Sequence, residues 1–207
     1  MRSVIRSLNR LLVATTNPNK VREIRPLLSS VSVELLALTD VPPIPEPPES
    51  AGTFWENARA KALAYATASG LTVVAEDSGL EIAALGNEPG VQSARFLGKD
   101  VSYADRFAEI YRRLDTTPST PRDARFVTAL VLVSGARVLF ETEAVIDGLI
   151  APKPAGEHGF GYDPIFYYPP LGRTTAELTL EEKSAVSHRA RAFRDLRRWL
   201  ASQAIPN

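Results

Sequence analysis

The chain has 207 residues, 24 Lys and Arg balanced by 24 Asp and Glu, two histidines and no cysteine. The missing cysteine excludes a disulfide framework, a Cys-based zinc site, an iron–sulfur cluster and a thiol nucleophile, and fits a cytoplasmic address. The charge balance argues against a broad electrostatic grip on nucleic acid, though not against a compact cluster for one small anion. A hydrophobic fraction of 44% is ordinary for one large domain or two small lobes. No apolar run approaches the about 18 residues of a membrane-spanning helix. Residues 1–10 read as a short tail, too short and broken for a signal peptide.

Leu11 to Thr15 (LLVAT) is the first strand candidate. Asn17 then reads as an N-cap with Pro18 at the first helical position. Val21, Ile24 and Leu28 share one face of the helix that follows, and Pro26 should kink or shorten it. Val31 to Leu38 is the second strand. Val41 to Ser50 (VPPIPEPPES) carries five prolines and predicts a stiff extended loop. Thr53 and Glu56 form a capping-box pattern opening an alanine-rich helix that stops at Gly70. Leu71 to Ala75 (LTVVA) is a buried strand. Ser102 and Asp105 open a helix with Phe107, Ile110, Tyr111 and Leu114 on one side. Ala124 to Val133 and Arg137 to Ile146 predict paired strands joined at Ser134-Gly135. One long helix is expected from about Thr179 to Ala201, with Val186, Ala190, Phe193 and Leu200 inward. Intermixed strands and helices mean α/β, and the hairpin-like pair points to a mixed sheet.

Four segments carry more polar residues and glycine than folding needs. Thr15-Thr16-Asn17-Pro18-Asn19-Lys20 follows a strand and opens a helix, where free N–H groups and the helix dipole suit a phosphate. Lys20 opposes that dipole unless an anion is bound; the plain alternative is an ordinary capped helix. Glu76-Asp77-Ser78-Gly79 places two adjacent carboxylates after a buried strand and ends in a glycine turn. Hard oxygen ligands there suit Mg²⁺, although an acidic Asp-Ser-Gly turn needs no metal. In Gly156 to Asp163 (GEHGFGYD) three glycines alternate with His158, Phe160 and Tyr162. Either the rings offer a stacking face and Asp163 accepts from a base N–H, or the rings are core. The fourth segment sets Lys183 and Ser187 one helical turn apart, followed by His188 and Arg189. A polyphosphate or plain solvation would account for those cations. Together the four supply cations, carboxylates, a glycine turn and aromatics, the kit for a magnesium nucleotide.

Five stretches in order carry a resemblance: TTNPNKVREI, TFWENARAKA, AEDSGLEIAALGNEPGVQSARF, GFGYDPIF and TAELTLEEKSAVSHR. From about Leu11 to Leu200 the sequence resembles the inosine triphosphate pyrophosphatase family. The resemblance implies a single α/β domain over residues 1–207: an elongated mixed sheet flanked by helices, with two lobes and a central cleft. It also implies a cytoplasmic homodimer that uses Mg²⁺. Such an enzyme cleaves non-standard purine nucleoside triphosphates (ITP, dITP, XTP) to monophosphate and pyrophosphate, clearing them from the nucleotide pool, with no nucleic-acid or membrane partner. By motif, Asp77 matches the general base, and Glu49, Glu76 and Asp77 match the metal site. Thr15, Thr16, Asn17, Pro18, Asn19, Lys20, Ser78 and Lys183 match substrate-binding positions. Phe160, Gly161, Tyr162 and Asp163 match the base pocket, with His188 and Arg189 reading the base. Lys61 and Arg95 fall near the phosphates. Three departures stand out. Thr16 replaces a usual glycine, so its turn must form at negative φ. Glu76 is one methylene longer than the usual aspartate. Prolines dilute the usual paired glutamates, which leaves Glu46 competing with Glu49. The rival readings are a pyrimidine (dUTP or dTTP) pyrophosphatase, a catalytically silent nucleotide sensor and a single-strand binder.

Overall fold

The computed structural model describes residues 8–116 and 122–203; most of the expected tail lies outside them. Seven strands form one sheet in the order β2-β1-β3-β4-β5-β6-β7. They are β1 (Arg10–Val13), β2 (Glu34–Ala37), β3 (Thr72–Ile82), β4 (Asp123–Ser134), β5 (Arg137–Ile150), β6 (Phe166–Tyr168) and β7 (Arg173–Thr174). The helices are α1 (Pro18–Leu28), α2 (Phe54–Ser69), α3 (Tyr103–Asp115), α4 (Leu180–Val186) and α5 (His188–Gln203). β1 runs parallel to β2 (Leu12 opposite Leu36) and to β3 (Leu12 opposite Val73). β6 is antiparallel to β5 (Leu149 opposite Tyr167) and to β7 (Tyr167 opposite Thr174). The sheet is therefore mixed and the class α/β, as the sequence predicts.

The helix signals hold to within a residue or two. Asn17 caps α1, its side chain accepting from the Asn19 and Lys20 amides, and Pro18 sits at the start. Pro26 leaves only two helical residues beyond it. Thr53 caps α2, and Gly70 ends it at φ 67°, a conformation that costs glycine little. Ser102 caps α3, whose Phe107, Ile110 and Leu114 are buried. β4 and β5 are joined by Gly135 and Ala136, one residue later than expected, with Gly135 at φ 58°.

Two expectations need correction. Glu76 to Gly79 is not a turn: β3 continues unbroken through it to Ile82. Beyond Thr72 nine buried or half-buried side chains hold the strand between β1, which pairs with it as far as Val74, and β4, and this overrides the local Asp-Ser-Gly signal. The expected single helix from Thr179 is two helices. Ser187 has extended backbone (φ −62°, ψ 152°), the conformation of an N-cap, and serine is a favoured residue there. Val186, expected inward, is only half-buried.

The chain divides into two compact units. The first comprises Met1–Asp77, Thr128–Ala144 and Arg189–Asn207; the second comprises Ser78–Val127 and Val145–His188. Each has its own core. In the first, Leu11, Val13, Ile24, Leu28, Val74, Leu130, Leu132, Phe193 and Leu196 pack together. In the second, Leu80, Ile82, Phe107, Ile110, Phe126, Tyr162, Ile165 and Phe166 do so. No helix among the described residues is long and apolar enough to cross a membrane.

Candidate functional site

In the first unit, β3 delivers Glu76 and Asp77 as neighbouring strand residues, 3% and 6% exposed. Successive strand side chains leave on opposite faces, so the two meet different partners. Glu76 meets cations. Arg189 Nε lies 2.9 Å from Glu76 Oε1, and Lys20 Nζ lies 3.1 Å from the same oxygen. The Arg189 NH1 group reaches Glu23 Oε2 at 2.6 Å, so one buried guanidinium ties two buried carboxylates together. Burial alone would raise the Glu76 carboxyl. Arg189 and then Lys20 overcome that and hold it well below the usual carboxylate range.

Asp77 meets amide and lysine. The Asn57 side-chain amide on α2 donates to Asp77 Oδ2 at 3.0 Å, while Asn57 Oδ1 accepts from the Ala51 amide at 3.0 Å. Lys61, one turn further along α2, forms an ion pair with Glu49 and lies 3.4 Å from the Glu76 carbonyl oxygen. Burial pushes the Asp77 carboxyl up. Lys61 opposes that, Glu49 adds to it, and Lys20 and Asn57 oppose it; the net shift is upward. The Lys61 ammonium is lowered by burial but raised further by Glu49, and ends above its ordinary value. The two adjacent carboxylates are thus moved in opposite directions by their surroundings.

The Thr15–Lys20 turn closes on itself. Thr15 Oγ1 accepts from the Asn17 amide at 3.2 Å, and Asn17 Oδ1 takes the Asn19 and Lys20 amides at 2.9 and 3.4 Å. The free N–H groups expected for a phosphate are therefore already capped, and Lys20 is the cation this turn contributes. Thr16 keeps out of the left-handed region, which among described non-glycine residues holds Asn87 and Leu97. Its hydroxyl donates to Glu46 at 3.3 Å. Of the two competing glutamates, it is Glu49 that pairs with Lys61 and acts on Asp77.

The second unit gathers a separate group. Lys183 on α4 forms an ion pair with Asp163, both nearly fully buried, and its ammonium lies 5.1 Å from the centre of the Phe160 ring. Asp163 also accepts from the Phe160 amide at 2.7 Å and from the Thr175 hydroxyl at 2.8 Å. Gly156, Gly159 and Gly161 all have positive φ. Gly156 packs against the Ala176 backbone and Gly159 against the Asp163 carboxylate, so this backbone approaches the protein itself. Tyr162 is core, its hydroxyl donating to the Ser93 carbonyl at 2.9 Å; Phe160 is the half-buried ring of the segment. His188 is buried and stacked on Phe126 at 4.8 Å. Arg95 ends a short 3-10 turn, its Nε bonded to Gln92 at 2.7 Å. Ser78 follows Asp77 on β3, half-buried.

The expectation that Arg189 reads a base is revised, because its guanidinium is taken up by Glu23 and Glu76 at 2% exposure. Sequence reasoning missed Glu23 and Asn57. Glu23 had a signal, since it lies between Lys20 and Leu27 on the face of α1 that Ile24 and Leu28 bury. Asn57 had only its place one turn after the Thr53 cap. Among the described residues no three His, Asp or Glu side chains gather into a ready metal cage.

The Ham1 family model matches residues 11–199. A dITP/XTP pyrophosphatase of Geobacillus kaustophilus is 46% identical over 186 residues, 90% of this chain and 91% of that one. One from Symbiobacterium thermophilum is 47% identical over 190 residues, 90% and 92% of the two chains. The solved structure of a HAM1 protein from Coxiella burnetii superposes with a TM-score of 0.87 at 37% identity, covering 93% of this chain and 98% of the other. With the family match spanning nearly its whole length, this chain belongs to the Ham1 family.

Proposed function

We propose that the protein hydrolyses ITP, dITP and XTP at the α–β phosphoanhydride, releasing pyrophosphate and the nucleoside monophosphate. The observation that carries the reading is Asp77: a buried carboxylate on a central strand, held by Asn57 and raised above its ordinary value by burial, beside Lys61 and Glu49. A carboxylate displaced upward and fixed in direction is suited to take a proton from an attacking water. The names of the relatives favour dITP and XTP over a pyrimidine triphosphate.

Asp77 orients a water toward the α-phosphorus and accepts its proton. In the first unit Lys20 and Lys61 each have a carboxylate partner with which phosphate oxygens compete as counter-ions, and in the second Lys183 has Asp163. Preorganised cations of this kind stabilise charge that develops on the leaving pyrophosphate. Phe160 offers the ring face for the base, and Asp163 and His188 are the polar contacts proposed for it, while Arg189 anchors Glu76 rather than the base. Thr15 and Asn17 shape the turn that presents Lys20. Arg95 and Ser78 remain candidate phosphate contacts.

A divalent cation fits the oxygen pair of Glu49 and Asp77, since both are hard donors whose mutual charge raises Asp77. Mg²⁺ binds through one or two carboxylates plus substrate phosphates and would supply neutralising charge there. Glu76 fits less well, because Arg189 and Lys20 occupy its oxygens. We also propose one functional domain, a homodimer and a cytoplasmic setting.

The test is pyrophosphate release with Mg²⁺ from ITP, dITP, XTP, dUTP, dTTP, ATP and GTP in parallel, for the natural chain and Asp77→Asn. Preference for the first three with monophosphate as co-product is expected, and a loss of about a hundred- to ten-thousandfold in kcat for the variant. Turnover of pyrimidines alone would overturn the specificity, and near-normal turnover by a folded Asp77→Asn would overturn the base.

A further inference from the structure

Arg106, in the first turn of α3, is 2% exposed. Its NH2 group donates to the Gly98 carbonyl at 2.9 Å, yet its buried Nε has no hydrogen-bond partner and no carboxylate pairs with it among the described residues. Its guanidinium carbon instead sits 4.7 Å from the centre of the Tyr103 ring. A buried cation with so little compensation works against stability, so packing alone does not account for it.

What the cation holds is informative. The Tyr103 ring meets Tyr162 edge-on, centroids 5.3 Å apart at 85°, and Phe107 at 6.1 Å. Its hydroxyl end lies over Gly161: a Cβ placed on that glycine would be 3.5 Å from the Tyr103 oxygen. Tyr103 itself stays 37% exposed. The same arginine bonds the Gly98 carbonyl, and Gly98 closes a turn onto the Arg95 carbonyl at 2.8 Å. One side chain on α3 thus braces both the Arg95–Gly98 turn and, through Tyr103, the Gly161-Tyr162 backbone that presents Phe160 and Asp163.

We propose that Tyr103, clamped by Arg106, is a positioning residue that fixes the Phe160–Asp163 segment and thereby sets discrimination between purine bases. This rests on the function proposed above. Loss of the clamp lets the segment relax, so the correct base is held less tightly while the reacting groups on β3 are untouched.

The experiment compares Tyr103→Leu, Arg106→Met and Arg106→Lys with the natural chain, measuring kcat and KM for dITP, XTP and dGTP, with Tm alongside. Tyr103→Leu should raise KM for dITP and XTP about three- to tenfold, the range one aromatic contact supplies, with kcat nearly unchanged. The dITP-to-dGTP preference should fall with it. Arg106→Met should do the same without lowering Tm, because it also removes a buried charge. Arg106→Lys keeps the charge and the fold but loses the planar stacking, and should show part of the effect. An unchanged preference in folded variants, or a fall in kcat at constant KM, overturns the positioning role and leaves the proposed function standing. Absence of dITP and XTP turnover by the natural chain overturns both.

Discussion

Replacing Arg189 by methionine tests whether the ion network around Glu76 is structural. Methionine fills much of the arginine stem's volume, so the perturbation is chiefly electrostatic. It removes the guanidinium from two carboxylates at once: Glu76 at 2.9 Å and Glu23 at 2.6 Å, with the three side chains between 2% and 7% exposed. Lys20 remains 3.1 Å from Glu76 and softens the loss on that side. Breaking a buried pair by deleting one partner costs about 3–5 kcal/mol. In a chain of this size that corresponds to roughly 6–20 °C in Tm. The sign of the pH dependence follows from Glu76. Its folded value lies below the ordinary 4.5, so its contribution is fully present above that pH and is lost as pH falls toward the folded value. In the variant Glu76 rises, and below that raised value it folds protonated with no charge left to neutralise. Urea unfolding at pH 7.5 and pH 5.0 should therefore show the gap between variant and natural chain narrowing at the lower pH. A gap below about 1 kcal/mol at pH 7.5, or one that does not change with pH, would refute the reasoning.

Glu76→Gln should unfold more easily at pH 7 yet keep measurable pyrophosphate release, whereas Asp77→Asn should lose turnover without losing stability. For Asp77 the folded value is raised, so its ionised form is disfavoured by folding above pH of about 4, and neutralising it does no harm at pH 7. Lys61→Met removes the cation that most opposes the rise of Asp77, so the acid limb of the kcat profile should move to higher pH. Among the described residues, Lys183→Met leaves the Asp163 carboxylate at 2% exposure with the Phe160 amide and Thr175 hydroxyl on it. It should lower stability by about 3–5 kcal/mol, and adding Asp163→Asn should recover much of that in a thermal melt.

Local signals were read well because they are set by nearest neighbours. Asn17, Thr53, Ser102 and Thr179 cap helices, and Gly70 ends one, since a cap needs only a side-chain oxygen or a positive φ. The mixed sheet followed from the β4–β5 pair, and the family from five motifs in order. What escaped depends on partners remote in sequence. Arg189 lies 113 residues from Glu76 and 166 from Glu23, so nothing near residue 189 signals that its donors are already taken. The run of β3 through Asp77-Ser78-Gly79 escaped for the same reason: the turn preference of those residues is local, while the strand pairs that defeat it come from elsewhere. At Ser187 the error was of another kind, because a serine inside an apolar helical period reads equally as interior or as a cap.

The unbroken run of β3 separates the roles proposed for Glu76 and Asp77. Were the pair on a turn, both carboxylates could line the same surface, and the two would be interchangeable as base or metal contact. On a strand, parity separates them. One face carries Lys20 and Arg189, and the carboxylate that points there is pulled far down and locked. The other carries Asn57, Lys61 and Glu49, and the carboxylate that points there is pushed up and accepts from the Asn57 amide. A group held far below its ordinary value is a poor proton acceptor at neutral pH, while one raised above its ordinary value is a better one. The extra methylene of Glu76 fits this division, since it extends the carboxylate's reach toward Arg189 and Lys20. Strand geometry and charge thus support Asp77, rather than Glu76, as the proposed base.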